Sequence, residues 1–284
     1  EIMPSLVGSE MCIRDRGNLS GAWIRTTGRN GEDQYHTEVE SDFRGTLSMA
    51  VAYRGLGAAV ALNPMKLAGK SQDYELNVNS YSNRFGFDIV FLSSKTYHGK
   101  ASMNDEVTPI EKGAIRQQAL NVNLYYAFNS KRFSFPAAFS QSYLQRRSAG
   151  SFMVGASFDG QITDIDANET ANQQPINLKL MEIGIGAGYG YNLVAGKRWL
   201  FHLSLLPTFD FYIHSRLKEN GERINLHYRF PSLITTGRGA AVYSWRNQFA
   251  VASLIYNYSV VGDRDQLQVR RSKWRLRFTY GFRF

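Results

Sequence analysis

The sequence is short of cysteine and of long apolar runs. Its one cysteine, Cys12, leaves no pair for an internal disulfide and gives no clue to redox compartment. No apolar stretch approaches the ~20 residues that a membrane-spanning helix needs, so no helical span is expected. Strands that cross a bilayer are not excluded by this. They need only ~9–11 residues of alternating pattern and leave mean hydropathy low, here −0.32. A glycine-rich phosphate loop, the ligand spacing of a zinc site and a calcium loop are also missing, so neither metal nor cofactor is expected. There is no nucleic-acid-binding motif either. The net charge of +9 is therefore assigned to a surface facing phosphate-rich lipid, and no nucleic-acid partner is expected.

What the sequence has in quantity is alternation. From Lys273 to Phe284 every even position is large and apolar, and the odd positions are Lys, Arg, Thr or Gly. A period of two puts alternate side chains on opposite faces of a strand, here one aromatic and one cationic. Upstream, Leu19 to Thr27 reads as a weak first strand. Phe43, Leu47, Met49, Val51 and Tyr53 share one face of the next, and after Arg54-Gly55 the apolar set moves to even numbers, Leu56 to Leu62. A two-residue hairpin requires that swap, because directly opposed residues share a face and their numbers then sum to an odd value. Residues 74–78 and 85–91 repeat it across Ser82-Asn83. Further strands are expected at 120–128, 152–162, 181–193, 199–213, 233–245, 249–260 and 274–284. Gly184, Gly186, Gly188 and Gly190 occupy alternate positions of one of these, which suits a face turned into a crowded interior.

Connection lengths alternate too. They are short near 54–55, 82–83, 195–197 and 246–247, and longer near 29–34, 64–72, 96–116, 163–177, 215–229 and 261–267. Short turns at one end and longer loops at the other are the pattern of transmembrane barrels. Aromatic residues gather near strand ends (Trp199, Tyr243, Trp245, Tyr280, Phe282), as membrane interfaces favour. The chain is therefore expected to be all-β, a transmembrane antiparallel β-barrel of about 12 strands rather than a soluble sandwich. The exception to the alternation is 130–148, a long connection on the short-turn side. Ser134 as a cap, Pro136 in a first turn and helix formers from Ala137 to Arg147 predict a short helix at that mouth or folded into the lumen.

A last strand ending on an aromatic residue resembles the closing strand of bacterial outer-membrane barrels. That resemblance implies an outer-membrane location, and recognition of Phe278, Tyr280, Phe282 and Phe284 by the barrel-assembly machinery. The segments 52–57, 61–64, 79–88 (Asn79-Ser80-Tyr81-Ser82-Asn83-Arg84-Phe85-Gly86-Phe87-Asp88) and 135–143 (Phe135-Pro136-Ala137-Ala138-Phe139-Ser140-Gln141-Ser142-Tyr143) are similar to an uncharacterised Bacteroidetes family known as a domain of unknown function (4421). The similarity covers most of the chain from about residue 35, and it implies no activity or catalytic residue. At the other end, Pro4 to Arg16 resembles translated sequencing-adapter read-through. Residues 1–16 are accordingly expected to be non-native, residues 17–284 to form one barrel domain, and any secretory signal to be missing with the true start.

Inward candidates are Arg44, Glu75, Asp88, Asp159, Glu182, Arg198, His202, Asp210, Arg238, Arg275 and Arg277. Glu182, Asp210, Arg198, His202, Arg238, Arg275 and Arg277 are the candidate pore-lining set, acting either as hydrogen-bonded filling or as a selectivity ring. A three-residue hairpin over Ala195-Gly196-Lys197 would set Val194 against Arg198 and Glu182 directly across from Asp210. Two opposed carboxylates would then need an arginine, a shared proton or a cation. Ser204, His202 and Asp210 share one polar face, as a hydrolase set would. The eight residues from 202 to 210 span ~26 Å of strand, however, so no catalytic residue is assigned, although partners on other strands stay open. The expected function is a narrow or plugged pore or a ligand-binding barrel, surrounded by outer-membrane lipid and with an unknown ligand. The alternatives are a structural or assembly protein of that membrane, and a barrel hydrolase.

Overall fold

A computed structural model describes residues 2–4, 11–30, 33–53, 56–62, 74–104, 106–165, 176–219, 222–224, 232–263 and 267–283. Along them run β1 (Ile2–Pro4), β2 (Met11–Asn30), β3 (Asp33–Ser41), β4 (Arg44–Tyr53), β5 (Leu56–Leu62), β6 (Tyr74–Tyr81), β7 (Phe85–Met103) and β8 (Glu106–Ala127). After α1 (Phe135–Phe139) come β9 (Tyr143–Gln145), β10 (Ala149–Ile165), β11 (Ile176–Ala195), β12 (Trp199–Glu219), β13 (Glu222–Ile224), β14 (Ser232–Trp245), β15 (Gln248–Asp263) and β16 (Leu267–Arg283).

Twelve of these strands form a ring. β2, β4 to β8, β10 to β12 and β14 to β16 pair in chain order, and β16 closes antiparallel on β2. Closure gives every ring strand a partner on both sides, through the single pair Leu56/Ser80 between β5 and β6, and a closed sheet is what can cross lipid. The outward face meets the second condition. Phe152 and Leu203 are each 72% exposed, and Ile185, Leu205, Phe209 and Phe278 also stand outward. At the short-turn end Trp199, Tyr243, Trp245, Tyr280 and Phe282 touch in series, with successive ring centroids 4.7, 5.2, 6.1 and 5.3 Å apart. An apolar belt bounded by such a girdle belongs to a transmembrane barrel. Leu203 lies four residues above Trp199, toward the middle of the belt. Leu203→Arg is expected to destabilise the barrel by about 2–4 kcal/mol, read from urea unfolding in lipid vesicles. A change below 0.5 kcal/mol would remove Leu203 from the lipid face.

The parity rule holds where turns are tight. Tyr53 pairs with Leu56 and Trp245 with Gln248 across two residues. Tyr81 pairs with Gly86 across four, and the Ser82 hydroxyl caps that wider turn by accepting from the Phe85 N–H at 2.9 Å. The polar stretch 96–116, expected as a loop, is instead the tip of the β7–β8 hairpin, with Gly99 opposite Ile110 and Met103 opposite Glu106. Beyond the hydrocarbon layer the outward face has no need of apolar residues. The alternation therefore fades while the ladder continues. The expected loop at 163–177 likewise begins and ends as strand, and that at 215–229 begins as strand and contains β13.

The ring is not uniform. β5 and β6 are short, and above them β3 pairs directly with β7, Val39 opposite Gly99. A Cβ at Gly99 would lie 2.0 Å from the Glu38 carbonyl oxygen, so this close approach requires glycine. At the long-loop end the ring thus has two strands fewer than at the short-turn end, and fewer strands make a narrower barrel.

A plugged lumen as the candidate functional site

The segment 130–148 turns back into the ring. Ser134 caps α1 by accepting from the Ala137 N–H at 3.2 Å, and Pro136 occupies the first turn, as the sequence suggests. The helix is shorter than expected: it stops at Phe139, not Arg147. The Gln141 side chain donates to the Ala138 carbonyl at 2.9 Å, and Gln141 itself takes a positive φ of 53°. That left-handed residue turns the chain into the extended β9. All five residues of α1 are buried, and with Phe133 they pack on Tyr81, Tyr125, Leu200, Val242, Phe249 and Val251 of the ring's inner wall. The short-turn end of the lumen is closed by an apolar plug.

Asn192, on β11, fastens it. Its amide nitrogen donates to the Ser134 carbonyl at 2.9 Å and to Gln145 Oε1 at 2.7 Å, and Gln145 Oε1 also accepts from the Ser134 N–H at 3.0 Å. Both partners of the amide nitrogen are acceptors, which fixes the way the amide faces. Asn192 Oδ1 therefore lies toward His202 Nδ1, 2.6 Å away, and can only accept. The proton of the His202 ring is on Nδ1. Its bare Nε2 then accepts from the Ser204 hydroxyl at 2.9 Å.

Above the plug the wall turns polar. Arg238 donates to Asp88 at 3.1 Å, its guanidinium carbon lies 5.3 Å from the centre of the Tyr125 ring, and the Tyr81 hydroxyl donates to the same Asp88 carboxylate. Next comes a cavity of about 100 Å³, lined among others by Asn121, Asn123, Asp159, Asn257 and Lys273. Over it Arg271 reaches across the lumen from β16 to Glu182, to Gln161 and to Asp159, the last at 3.4 Å. Higher still, Val39, Tyr97, Ile110 and Ile115 form a second apolar cluster inside the narrow end. The lumen is a small chamber of mixed polar and apolar lining between two apolar seals.

Most inward candidates lie where parity put them. Arg44, Asp88, Glu182, His202, Asp210, Arg238, Arg275 and Arg277 are buried and Asp159 is half-buried, while the side chain of Glu75 lies outside the described residues. Arg277 donates to Asn18 at 2.8 Å. Arg198 is a correction. It sits in the exposed turn 196–198 and donates outward to the Tyr243 hydroxyl at 3.2 Å. The expected facing of Glu182 and Asp210 is also corrected. Ala195 pairs with Trp199, Gly196 has a φ of 63°, and Asp210 faces Gly184 while Glu182 faces Ile213 across a bulge at Ile183/Gly184. The turn slides by one residue so that Trp199 joins the girdle, and the bulge adds a further shift. The arginine that Glu182 needs, Arg271, comes from across the lumen, not from a neighbouring strand. Phe278, Tyr280 and Phe282 face outward, and Phe284 lies outside the described residues.

Two glycines show what crowds the β11 wall. A Cβ at Gly186 would lie 1.9 Å from the Pro207 carbonyl oxygen, and one at Gly190 would meet the Phe133 ring at 3.0 Å. The first clears the neighbouring strand, the second the plug. Sequence reasoning missed Asn192 and the apolar lower wall. The signal was available: Leu200, Leu206, Ala240 and Val242 occupy inward parity positions.

No match was found among curated proteins. Among solved structures the chain is similar to the outer membrane protease OmpT of Escherichia coli (9% identity, 100% of this chain and 98% of that one, TM-score 0.42). It is similar also to the outer membrane protein OprG of Pseudomonas aeruginosa (10%, 97% and 98%, TM-score 0.33) and to the toluene transporter TodX of P. putida (8%, 96% and 90%, TM-score 0.29). The barrel assignment itself rests on the strand pairing. Residues 21–284, from the first ring strand through the plug to the closing strand, match the family described as Domain of unknown function (DUF4421), and the chain belongs to that family.

Proposed function

We propose that the protein is an outer-membrane barrel that holds a small solute between two seals and admits or releases it when α1 moves, a plugged pore with its gate at the short-turn end. The observation that carries this reading is the plug, a capped helix buried whole inside the ring and tied down by the side chains of Asn192 and of Asn83, which accepts from the Ser134 hydroxyl at 2.6 Å. The chamber above it sets amides and both signs of charge among apolar side chains such as Val90, Leu92 and Ile234, which suits a small solute with both polar and apolar parts. The girdle and the apolar belt support the membrane setting, with lipid as the surrounding partner. The outward aromatic row Phe278, Tyr280 and Phe282 is the surface by which the barrel-assembly machinery would take up β16.

Planar-bilayer recording tests the gate. Wild-type protein is expected to stay closed with brief openings, and a variant with residues 133–141 replaced by a Gly-Ser linker is expected to show sustained steps. Equal conductance in the two would overturn the reading. The short-turn end is assigned to the periplasm. A cysteine at exposed Arg147 should react with an impermeant maleimide only after the outer membrane is permeabilised, and labelling of intact cells would reverse the orientation.

A further inference from the structure

His202 and Ser204 are two residues apart on β12, so both point into the lumen, where each is buried. The chain Asn192 Oδ1, His202 Nδ1–H, His202 Nε2, Ser204 Oγ–H has the polarity of a nucleophile, base and orienting group, with distances of 2.6 and 2.9 Å. With the plug seated, the Asn192 amide is held by two acceptors and leaves the imidazole only the tautomer that can take the serine proton, and Gln145 Oε1, which lies outside α1, is the acceptor that remains when the helix is displaced. Passage of a solute uses the Asn192 latch, but it needs neither the imidazole of His202 nor the hydroxyl of Ser204. A buried serine needing only a hydrogen-bond partner could have had any acceptor, whereas here it meets the bare nitrogen of an oriented imidazole. Arg238 pairs directly across from Ser204 on β14 and so shares its face, and the buried Nε of Arg238 has no hydrogen-bond partner.

The surroundings say what such a set would act on. Gly190 pairs with Ser204 from the other side, and the space that its missing side chain leaves is taken by the Phe133 ring. The rings of Phe135 and Phe139 lie 5.2 and 5.0 Å from the His202 ring. With α1 out, the wall beside Ser204 is apolar: Met153, Leu200, Leu206, Ala240, Val242 and Phe249. We infer that this is a masked acyl-ester hydrolase site for apolar acyl chains, with Ser204 as nucleophile, His202 as general base, Asn192 as positioning residue and Arg238 as oxyanion partner. The phenylalanines of the plug hold the place of the acyl chain.

The chemistry balances without a further reactant other than water. Ser204 Oγ adds to the ester carbonyl carbon as its proton passes to His202 Nε2, and the oxyanion faces Arg238 Nε–H. Collapse breaks the bond to the alcohol oxygen, which takes the proton from His202. Water then repeats the sequence, gives its proton to His202, releases the fatty acid and restores Ser204.

The inference rests on the plug reading, since an ester reaches Ser204 only with α1 displaced. The test therefore reads the two separately, in detergent-folded protein incubated with a long-chain alkyl fluorophosphonate. Peptide mass spectrometry locates the adduct, and bilayer conductance reports the plug. Phe135→Ala and the 133–141 linker variant are expected to be phosphonylated at Ser204 at least tenfold faster than wild type, which reacts slowly through spontaneous opening. In the linker background His202→Gln, which keeps a polar side chain, should slow labelling by at least about a hundredfold while heat-modifiable folding is retained. Slow wild-type labelling at Ser204 after exhaustive incubation also supports the site if both plug variants fail to fold. A linker variant that conducts but stays unlabelled at Ser204 would overturn the hydrolase and leave the gate standing. So would labelling unaffected by His202→Gln, or an absence of adduct at Ser204 in every arm.

Discussion

Arg271→Met is expected to cost about 3–5 kcal/mol of barrel stability, the usual price of removing one partner from a buried ion pair. Arg271 holds Glu182, whose side chain is 0% exposed, and Asp159, 20% exposed, and it is itself 11% exposed. Without it Glu182 and Asp159 lose their ion pair and share the chamber with Asp210, also fully buried. The penalty is desolvation left uncompensated, so it should be largely recovered by neutralising the acid. Glu182→Gln combined with Arg271→Met is expected to fall short of the sum of the single changes by 1–3 kcal/mol, as coupled neighbours do. Urea unfolding in vesicles measures all three variants. An Arg271→Met cost below 1 kcal/mol, or strict additivity, would mean that lumen water already screens the carboxylates and that the bridge contributes little.

The fold was legible because a membrane barrel writes two constraints on every residue of its spanning strands. Outward positions must suit lipid and inward ones must not, so Trp274 to Phe282 and Arg275 to Arg277 could be sorted by parity alone. Tight turns preserve that parity, which is why Tyr53 opposite Leu56 followed from sequence. Legibility failed wherever one constraint lapses. At 96–116 the outer face meets water and carries no apolar signal. At Ile183/Gly184 a bulge moves the register, and nothing in the residue types marks it. The plug is a third kind of failure. Its cap, Ser134, and Pro136 are local signals, but its place inside the ring depends on apolar residues scattered over six strands. Inward-facing Val242 and Val251 look the same in sequence whether they border water or a phenylalanine. Asn192 was seen as one polar residue among alternating glycines and tyrosines, because its three partners lie ten to fifty-eight positions away.

Asn192→Leu is expected to loosen the plug by about 3 kcal/mol without breaking the ring. Leucine matches the shape of asparagine, so the change leaves no cavity to confuse the result. It strands three buried groups instead: the Ser134 carbonyl, one share of Gln145 Oε1, and the Nδ1–H of His202. Each buried group left unpaired costs roughly 1–3 kcal/mol, and the plug can recover part of that by leaving the lumen. The strand ladder is untouched, since Asn192 pairs through its backbone with Ala149 and His202. A shift of about 3 kcal/mol raises the population of the open form roughly a hundredfold. Hydrogen exchange at the amides of Ala137 to Ser140 should therefore speed up by that factor, with channel open probability rising alongside, while amides of β11 and β12 keep their protection. Asn192→Asp supplies the control. It keeps the acceptor for His202 but sets a carboxylate oxygen against the Ser134 carbonyl and Gln145 Oε1, so α1 should exchange at least as fast as in the leucine variant. Unchanged exchange in α1 for both variants would show that apolar packing alone holds the plug and that Asn192 is no latch.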